Sequence, residues 1–396
     1  MNNAINNENK KLNVPNLRFP EFEGEWEEST IGEEFDLYSG NTPSRLNKEH
    51  FNGTINWISS GELKEHYIAD TKEKISDEAA KTLKMLPIGT FVIAIYGLEA
   101  DGVRGTCSIT KSESTISQAC MAFTSKGIIQ NEFLYSWYKK HGNVIGIRYA
   151  QGTKQQNLSY DIIEKFKIAY PTFQEQEKLY KFIALLDERI ATQNKIIEKM
   201  QTLIKGIVDS TILRKEKNAI VGDVCSISEQ IRAEANIDDI ITVRLHGNGV
   251  CKSSAENLQL GATQYYRRRA GQLIYGKQNF HNGAIGIVPQ SLDNGITSKD
   301  IPSFDIYDVK CNSAYLLAQL QSPQYYKPAE ALTTGTGSKR LKEETFLKMP
   351  IVLPNKREQD NIAILIYRIS VNLDQAKRML DLYSIQKQYL LRQMFI

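Results

Sequence analysis

The chain has 396 residues, of which 41% are apolar and 24% charged, ordinary globular values that exclude a collagen-like, disordered or membrane-embedded protein. At about 100–200 residues per domain, that length gives two or three domains. The net charge of +3 leaves any polyanion to be met by local patches rather than by bulk charge.

No apolar run is long enough to cross a bilayer, and the polar start MNNAINNENKKLNVPN lacks a signal-peptide core, so the expected location is the cytoplasm, with no membrane partner. Cys107, Cys120, Cys225, Cys251 and Cys311 form no CxxC pair and are expected to be buried reduced thiols, neither disulfides nor a zinc site.

In chain order, the first half opens at Ile31-Gly32 and continues into a polar, turn-rich loop carrying Asn41, Thr42, Ser44, Arg45 and Lys48. Strands are expected over 90–95, 105–109, 119–123 and 167–170, and a helix over 131–138. Trp57 and Trp137 read as core residues. The stretch QGTKQQNLSYDIIEKFKIAYPTFQEQEKL, from Gln151, then recurs as TGTGSKRLKEETFLKMPIVLPNKREQDNI, from Thr334. Gly152-Thr153 aligns with Gly335-Thr336, Leu158 with Leu341, Pro171 with Pro354, and Glu175-Gln176 with Glu358-Gln359. Upstream, Pro87 to Ile93 faces Arg269 to Tyr275, and Ile31-Gly32 faces Val221-Gly222. The frame repeats while the interior diverges.

After Pro171, Leu179, Ile183, Leu186, Ile190, Gln193, Ile197, Met200, Ile204 and Ile207 step alternately by four and three. After Pro354, the same ladder reads Ile362, Ile366, Ile369, Leu373, Ala376, Leu380, Tyr383, Lys387 and Leu390. That period marks a coiled-coil seam. Acidic residues near each start suit the helix dipole. The alternative is two amphipathic helices, each packed on its own domain. If the two pair, chain order makes them antiparallel, with globular units at opposite ends of a rod. From Leu179 to Ile207 the seam spans about 44 Å at a rise of about 1.5 Å per residue, more than one turn of B-DNA at about 34–36 Å. The expected architecture is therefore mixed α/β (α+β), with an internal pseudo-two-fold repeat. It comprises a first domain over 1–172, a helix over 173–213, a second domain over 214–354 and a second helix over 355–396. In the second half, strands are expected over 240–244, 272–275, 284–288 and 349–353, and a helix over 312–321.

Catalytic constellations are missing. The chain has no GxxxxGK[ST] loop, no HExxH, no GxSxG and no Pro-Pro pair, the last excluding the [ND]PP[YF] grip of amino-methyltransferases. Asp187-Glu188 reads as a solvated helix face. A duplicated frame around a rod without such motifs favours binding and scaffolding. The candidate contacts for a polyanion are polar and basic. In the first half they are the 41–48 loop, Tyr96 and Arg104, and Lys154, Gln155, Gln156 and Asn157. In the second they are Arg244 and His246, the run Arg267, Arg268 and Arg269, then Lys277, Gln278 and Asn279, and Ser338, Lys339 and Arg340. Each has a bland counterpart, a solvated turn for the first loop and a solubilising face for the triple arginine.

The order of domain, heptad helix, domain, heptad helix accompanies three motifs: LYSGNTPSRLNKEHFNGTINWISSGEL from Leu37, the strip from Gly152 to Leu158, and the strand-Pro-x-x-x-Glu-Gln helix starts at Pro171 and Pro354. Together these resemble the specificity subunit of type I restriction-modification systems. The resemblance implies a non-catalytic, sequence-specific subunit whose two globular halves are target recognition domains, each reading one half of a split double-stranded DNA site. Its helix pair would serve as ruler and as docking surface for two methyltransferase subunits, joined by restriction and translocase subunits. S-adenosylmethionine, ATP and Mg would sit on those partners, with no cofactor or metal on this chain. The segment SISEQIRAEANIDDI, from Ser226, has no TPS loop, a departure in the second half. From another class stands a coiled-coil interaction protein with two protein-binding heads.

Overall fold

A computed structural model describes residues 13–100, 102–152, 156–253, 263–335 and 339–396. The chain divides into two compact units, Met1–Asn194 with Met379–Ile396, and Lys195–Arg378.

In the first unit a five-stranded sheet runs in the order Phe35–Ser39, Cys120–Ser125, Phe91–Ala94, Cys107–Thr110, Tyr67–Ile68. All neighbours are antiparallel except the last pair. Phe91–Ala94 is buried at every position, which explains its unbroken apolar sequence, since a strand covered on both faces needs no alternation. The helix Asn131–Tyr149 lays Phe133, Leu134, Tyr135, Trp137 and Tyr138 into the core, and runs well past its expected end at 138. Trp57 is buried in a smaller cluster with Ile75, Ala79 and Ala80.

The second unit repeats the frame. Its four-stranded antiparallel sheet has the order Cys225–Ile227, Ser303–Ile306, Leu273–Tyr275, Ile285–Ile287, strand for strand the order of the first four strands above. The expected strands at 240–244 and 349–353 shorten to Ile241–Val243 and Pro350–Ile351. Divergence is concentrated in the second sheets. In the first unit, Ile55–Ile58 lies between Lys74–Ile75 and Ser114–Ile116, and is parallel to the latter. In the second, Tyr265–Arg267 lies between two antiparallel neighbours.

The long helices are Phe173–Val208 and Lys356–Met394. Within the first unit, Leu179, Ile183 and Leu186 share a core cluster with Leu390, Leu391, Met394 and Phe395. Within the second, Val208 and Ile212 cluster with Ile362, Ala363 and Ile366. The start of one helix meets the end of the other each time, so the pair is antiparallel. Along the ladder, Ile190, Ile197, Met200, Ile204 and Ile207 are each half-buried, as are Ile369, Leu380 and Tyr383, and Leu373 is buried.

The repeated Glu-Gln has a direct explanation in its glutamine. Gln176 is fully buried. Its Oε1 accepts from the Gln130 N–H at 2.9 Å, and its Nε2 donates to the carbonyls of Ile128 at 3.1 Å and Pro171 at 3.0 Å. Gln359, also buried, accepts from the Asn312 N–H at 2.8 Å and donates to the carbonyls of Lys310 at 3.2 Å and Pro354 at 2.8 Å. One amide thus joins the end of a strand, the start of a long helix and the loop before the domain helix. The glutamates have parted ways. Glu175 is buried and takes two nitrogens of Arg18 at 2.8 and 2.7 Å, whereas Glu358 is exposed.

Removing a buried amide strands its former partners at about 1–3 kcal/mol each. Gln359→Ala is therefore expected to lower stability by about 2–4 kcal/mol in urea unfolding, while Glu358→Gln changes it by less than about 0.5 kcal/mol. Equal effects would contradict the clamp.

Candidate nucleic-acid interface

In the first unit the 41–48 loop springs from the sheet at Gly40, where a Cβ would lie 2.1 Å from the Ile116 carbonyl oxygen. Only glycine permits that approach. The Asn41 N–H donates to the same oxygen at 3.1 Å, and the Asn41 carbonyl accepts from Trp57 Nε1 at 3.1 Å. Thr42 Oγ1 bonds Gln118 Oε1. Arg45 is held by Glu73 through two bonds of 2.6 and 2.8 Å, with its guanidinium 4.4 Å from the Phe51 ring centroid. The Arg45 hydrogen bonds hold the Glu73 carboxyl below the ordinary carboxylate range. Ser44 and Lys48 are exposed. Beside them Leu46 is 97% exposed, an apolar tip that no periodicity marks because it belongs to neither helix nor strand.

A second cluster gathers the strand-end and strip residues. Tyr96 is exposed, Gly97 has a φ of 72°, and the Leu98 N–H donates to the Gln156 carbonyl at 3.1 Å. Gln156 Oε1 accepts from Arg104 Nη2 at 2.9 Å, and its N–H donates to Glu99 Oε2 at 2.8 Å. Gln151 and Asn157 close the base of the strip by two backbone bonds of 2.8 and 2.9 Å. Thr334 and Arg340 close its counterpart at 3.0 and 2.9 Å. Gly152 and Gly335 turn at φ 110° and 128°, a conformation that glycine adopts without strain. Lys154, Gln155 and Ser338 lie outside the described residues.

In the second unit the triple arginine splits. Arg267 and Arg269 are exposed, but Arg268 is fully buried, which corrects its reading as a surface contact. Its Nε donates to Thr297 Oγ1 at 2.7 Å, Nη1 to Ser303 Oγ at 2.9 Å and Nη2 to the Ile301 carbonyl at 3.0 Å. Burial lowers its pKa to about 10, so it remains charged at neutral pH and depends on those acceptors. Lys277 pairs with Glu343 at 2.6 Å, Arg340 with Asp300 at 3.3 Å and Lys339 with Glu330 at 3.9 Å. The first two pairs line an open groove with Lys299 and Lys342. Gln278 and Asn279 are exposed. Arg244 donates to Cys251 Sγ at 3.0 Å. His246 sits in a tight turn at φ 59°, followed by Gly247 at 71°, with its N–H on the Asn282 carbonyl at 2.7 Å. A left-handed non-glycine residue stores strain, of the kind that clusters at functional loops.

Among the described residues, no group of three His, Cys, Asp or Glu side chains is placed to hold a metal ion, and no helix is long and apolar enough to cross a membrane. Cys107 and Cys120 are buried, and burial pushes both thiols up to about 12. Asp187 is not the solvated group expected from sequence, since it is mostly buried and bonds Lys387.

Residues 23–202 match the family model described as type I restriction modification DNA specificity domain. The MjaIX type I restriction enzyme specificity subunit of Methanocaldococcus jannaschii is 26% identical over 185 residues, 44% of this chain and 42% of that protein. A type I restriction enzyme specificity subunit of Escherichia coli is 30% identical over 188 residues, 46% of this chain and 45% of that protein. The chain thus spans less than half the length of these two curated relatives in alignment. The fold is similar to that of the type I restriction-modification S subunit of M. genitalium, with a TM-score of 0.62 at 13% identity over 97% of this chain and 99% of that one.

The two surface arginines and the buried one are expected to part in a stability measurement. Arg268→Met leaves several buried acceptors unpaired and should lower stability by about 2–4 kcal/mol. Arg267→Ala and Arg269→Ala should each stay within about 0.5 kcal/mol, and equal losses in thermal unfolding would contradict the assignment.

Proposed function

We propose that the chain, whose residues 23–202 match the type I restriction modification DNA specificity domain, is the non-catalytic DNA reader of a type I restriction-modification complex. Each unit takes one half of a bipartite duplex target, and the helix pair sets the unread spacer. The observation that carries this reading is the doubled frame with unlike loops: one strand order and one glutamine clamp in both units, but different side chains at the exposed turns. Two readers that share a frame but differ in their second sheets and exposed turns are what two different half-sites require, since sequence is read by base-edge contacts while phosphate contacts hold register. Held on one spacer, they bind as a unit.

The long helices support the docking part of the proposal. Outside the ladder, Leu382 is 57% exposed, Ile385 62% and Tyr389 58%. Apolar side chains in such a stripe are suited to a partner's amphipathic helix. The partners proposed are two methyltransferase subunits, with restriction and translocase subunits added to that core. S-adenosylmethionine, ATP and Mg belong to those subunits, and the complex works in the cytoplasm.

Replacing residues 1–172 by the matching part of another specificity subunit should change one half-site and leave the other. Inserting one heptad in both helices, about 10 Å at a rise of about 1.5 Å per residue, should lengthen the preferred spacer by about three base pairs at about 3.4 Å each. Both are read by footprinting with the methyltransferase subunits present, and an unchanged spacer would refute the ruler. Arg269→Ala should weaken binding alike on all sequences and reduce the salt slope by about 0.9. Asn279→Ala should relax base preference in the second half-site alone, by about 1–3 kcal/mol.

A further inference from the structure

The first unit holds a polar cluster that the reading above does not use. His66 lies face to face between Tyr67 and Tyr135, with ring centroids 4.1 and 3.9 Å away and planes 7° and 8° apart. Its Nε2 is 2.9 Å from Glu132 Oε2, and Glu132 Oε1 accepts from the Tyr67 hydroxyl at 3.0 Å. Its Nδ1 faces Asp187 Oδ2 at 3.9 Å, an oxygen that is buried and has no hydrogen-bond partner. The other Asp187 oxygen accepts from Lys387 Nζ. The imidazole therefore joins the segment before Tyr67 to the first turn of the domain helix and faces Asp187, which itself ties the two long helices together through Lys387. Imidazole suits that task because its faces stack while its two nitrogens address groups on different edges.

Among the described residues, the second unit shows no counterpart. Through the repeat, Ala314 and Leu317 stand where Glu132 and Tyr135 stand, Ser370 replaces Asp187 and Ile204 replaces Lys387. The contact there is built by Val208, Ile212, Val352 and Ala363, with Tyr315 bonding the Val352 carbonyl. Apolar contact is non-directional, whereas hydrogen bonds weaken steeply as their angles change.

We propose that His66, Glu132, Asp187 and Lys387 form an orientation lock that fixes the first recognition domain on its own stretch of the helix pair. They are then positioning residues that determine the spacing at which the first half-site is accepted. The proposal rests on the bipartite DNA reading. A base pair rises about 3.4 Å, so a domain displaced by that distance reads a neighbouring register, and rigidity at this joint becomes selectivity for spacer length.

The experiment uses the full chain with its methyltransferase subunits, and duplexes whose spacer is the preferred length or one base pair shorter or longer. His66→Phe keeps a stacked ring and drops both carboxylate contacts; Lys387→Met removes the cation. Each is expected to reduce the preference for the best spacer about tenfold while base preference in both half-sites stays unchanged. Combining them should add little to either alone. Should His66→Phe not fold, Lys387→Met reads the same quantity. Folded variants that keep the full spacer preference would overturn the lock. A wild-type complex that reads both half-sites at every spacing would also overturn it, and one without any sequence preference would overturn the DNA reading itself.

Discussion

A buried amide must find all of its hydrogen-bond partners, and in both units a single glutamine finds them where three chain segments converge. Gln176 and Gln359 each bond the carbonyl of the proline that ends a strand, and each reaches across to the loop that starts the domain helix. These bonds are short-ranged and directional, so they fix the course along which a long helix leaves its sheet. The heptad ladder can form a seam only if that course is right. The clamp therefore stands upstream of the helix pairing, and the pairing upstream of any spacing role.

Around this constant frame the units differ where difference has use. The first loop is anchored through Gly40 and Asn41 and carries an arginine already occupied by Glu73 and an aromatic face. The second unit offers a strained turn at His246 and a groove in which cations alternate with carboxylates. Cations held by carboxylates keep a defined geometry before any ligand arrives. On the proposed DNA reading, that suits discrimination among base edges better than mere attraction of phosphate.

The long helices and most sheet strands were legible because their patterns are local: a heptad ladder, a short apolar run, a proline after a strand. The domain helix was legible only up to Tyr138. Beyond it stand Gly142 and Gly146, which lower helix propensity but here permit close packing, with Cβ positions 2.6 Å from the Tyr138 ring and 2.5 Å from the Arg104 stem. Arg268 was misjudged for a related reason. A run of three arginines looks like surface, and the groups that bury the middle one, Thr297 and Ser303, lie distant in sequence. Asp187 and His66 were likewise hidden, since what joins them is the meeting of segments far apart in the chain. Local chemistry announces elements; it does not announce which polar side chain will be enclosed when they meet.

The division of the chain also bears on how it folds as it is made. Domains generally fold during synthesis from the N-terminal one onward. Here the core of the first unit includes Leu390, Leu391, Met394 and Phe395, whereas the second unit lies wholly within Lys195–Arg378. The second unit therefore has all of its residues before the first has its last ones. During that interval Leu179, Ile183 and Leu186 lack the side chains that finally cover them.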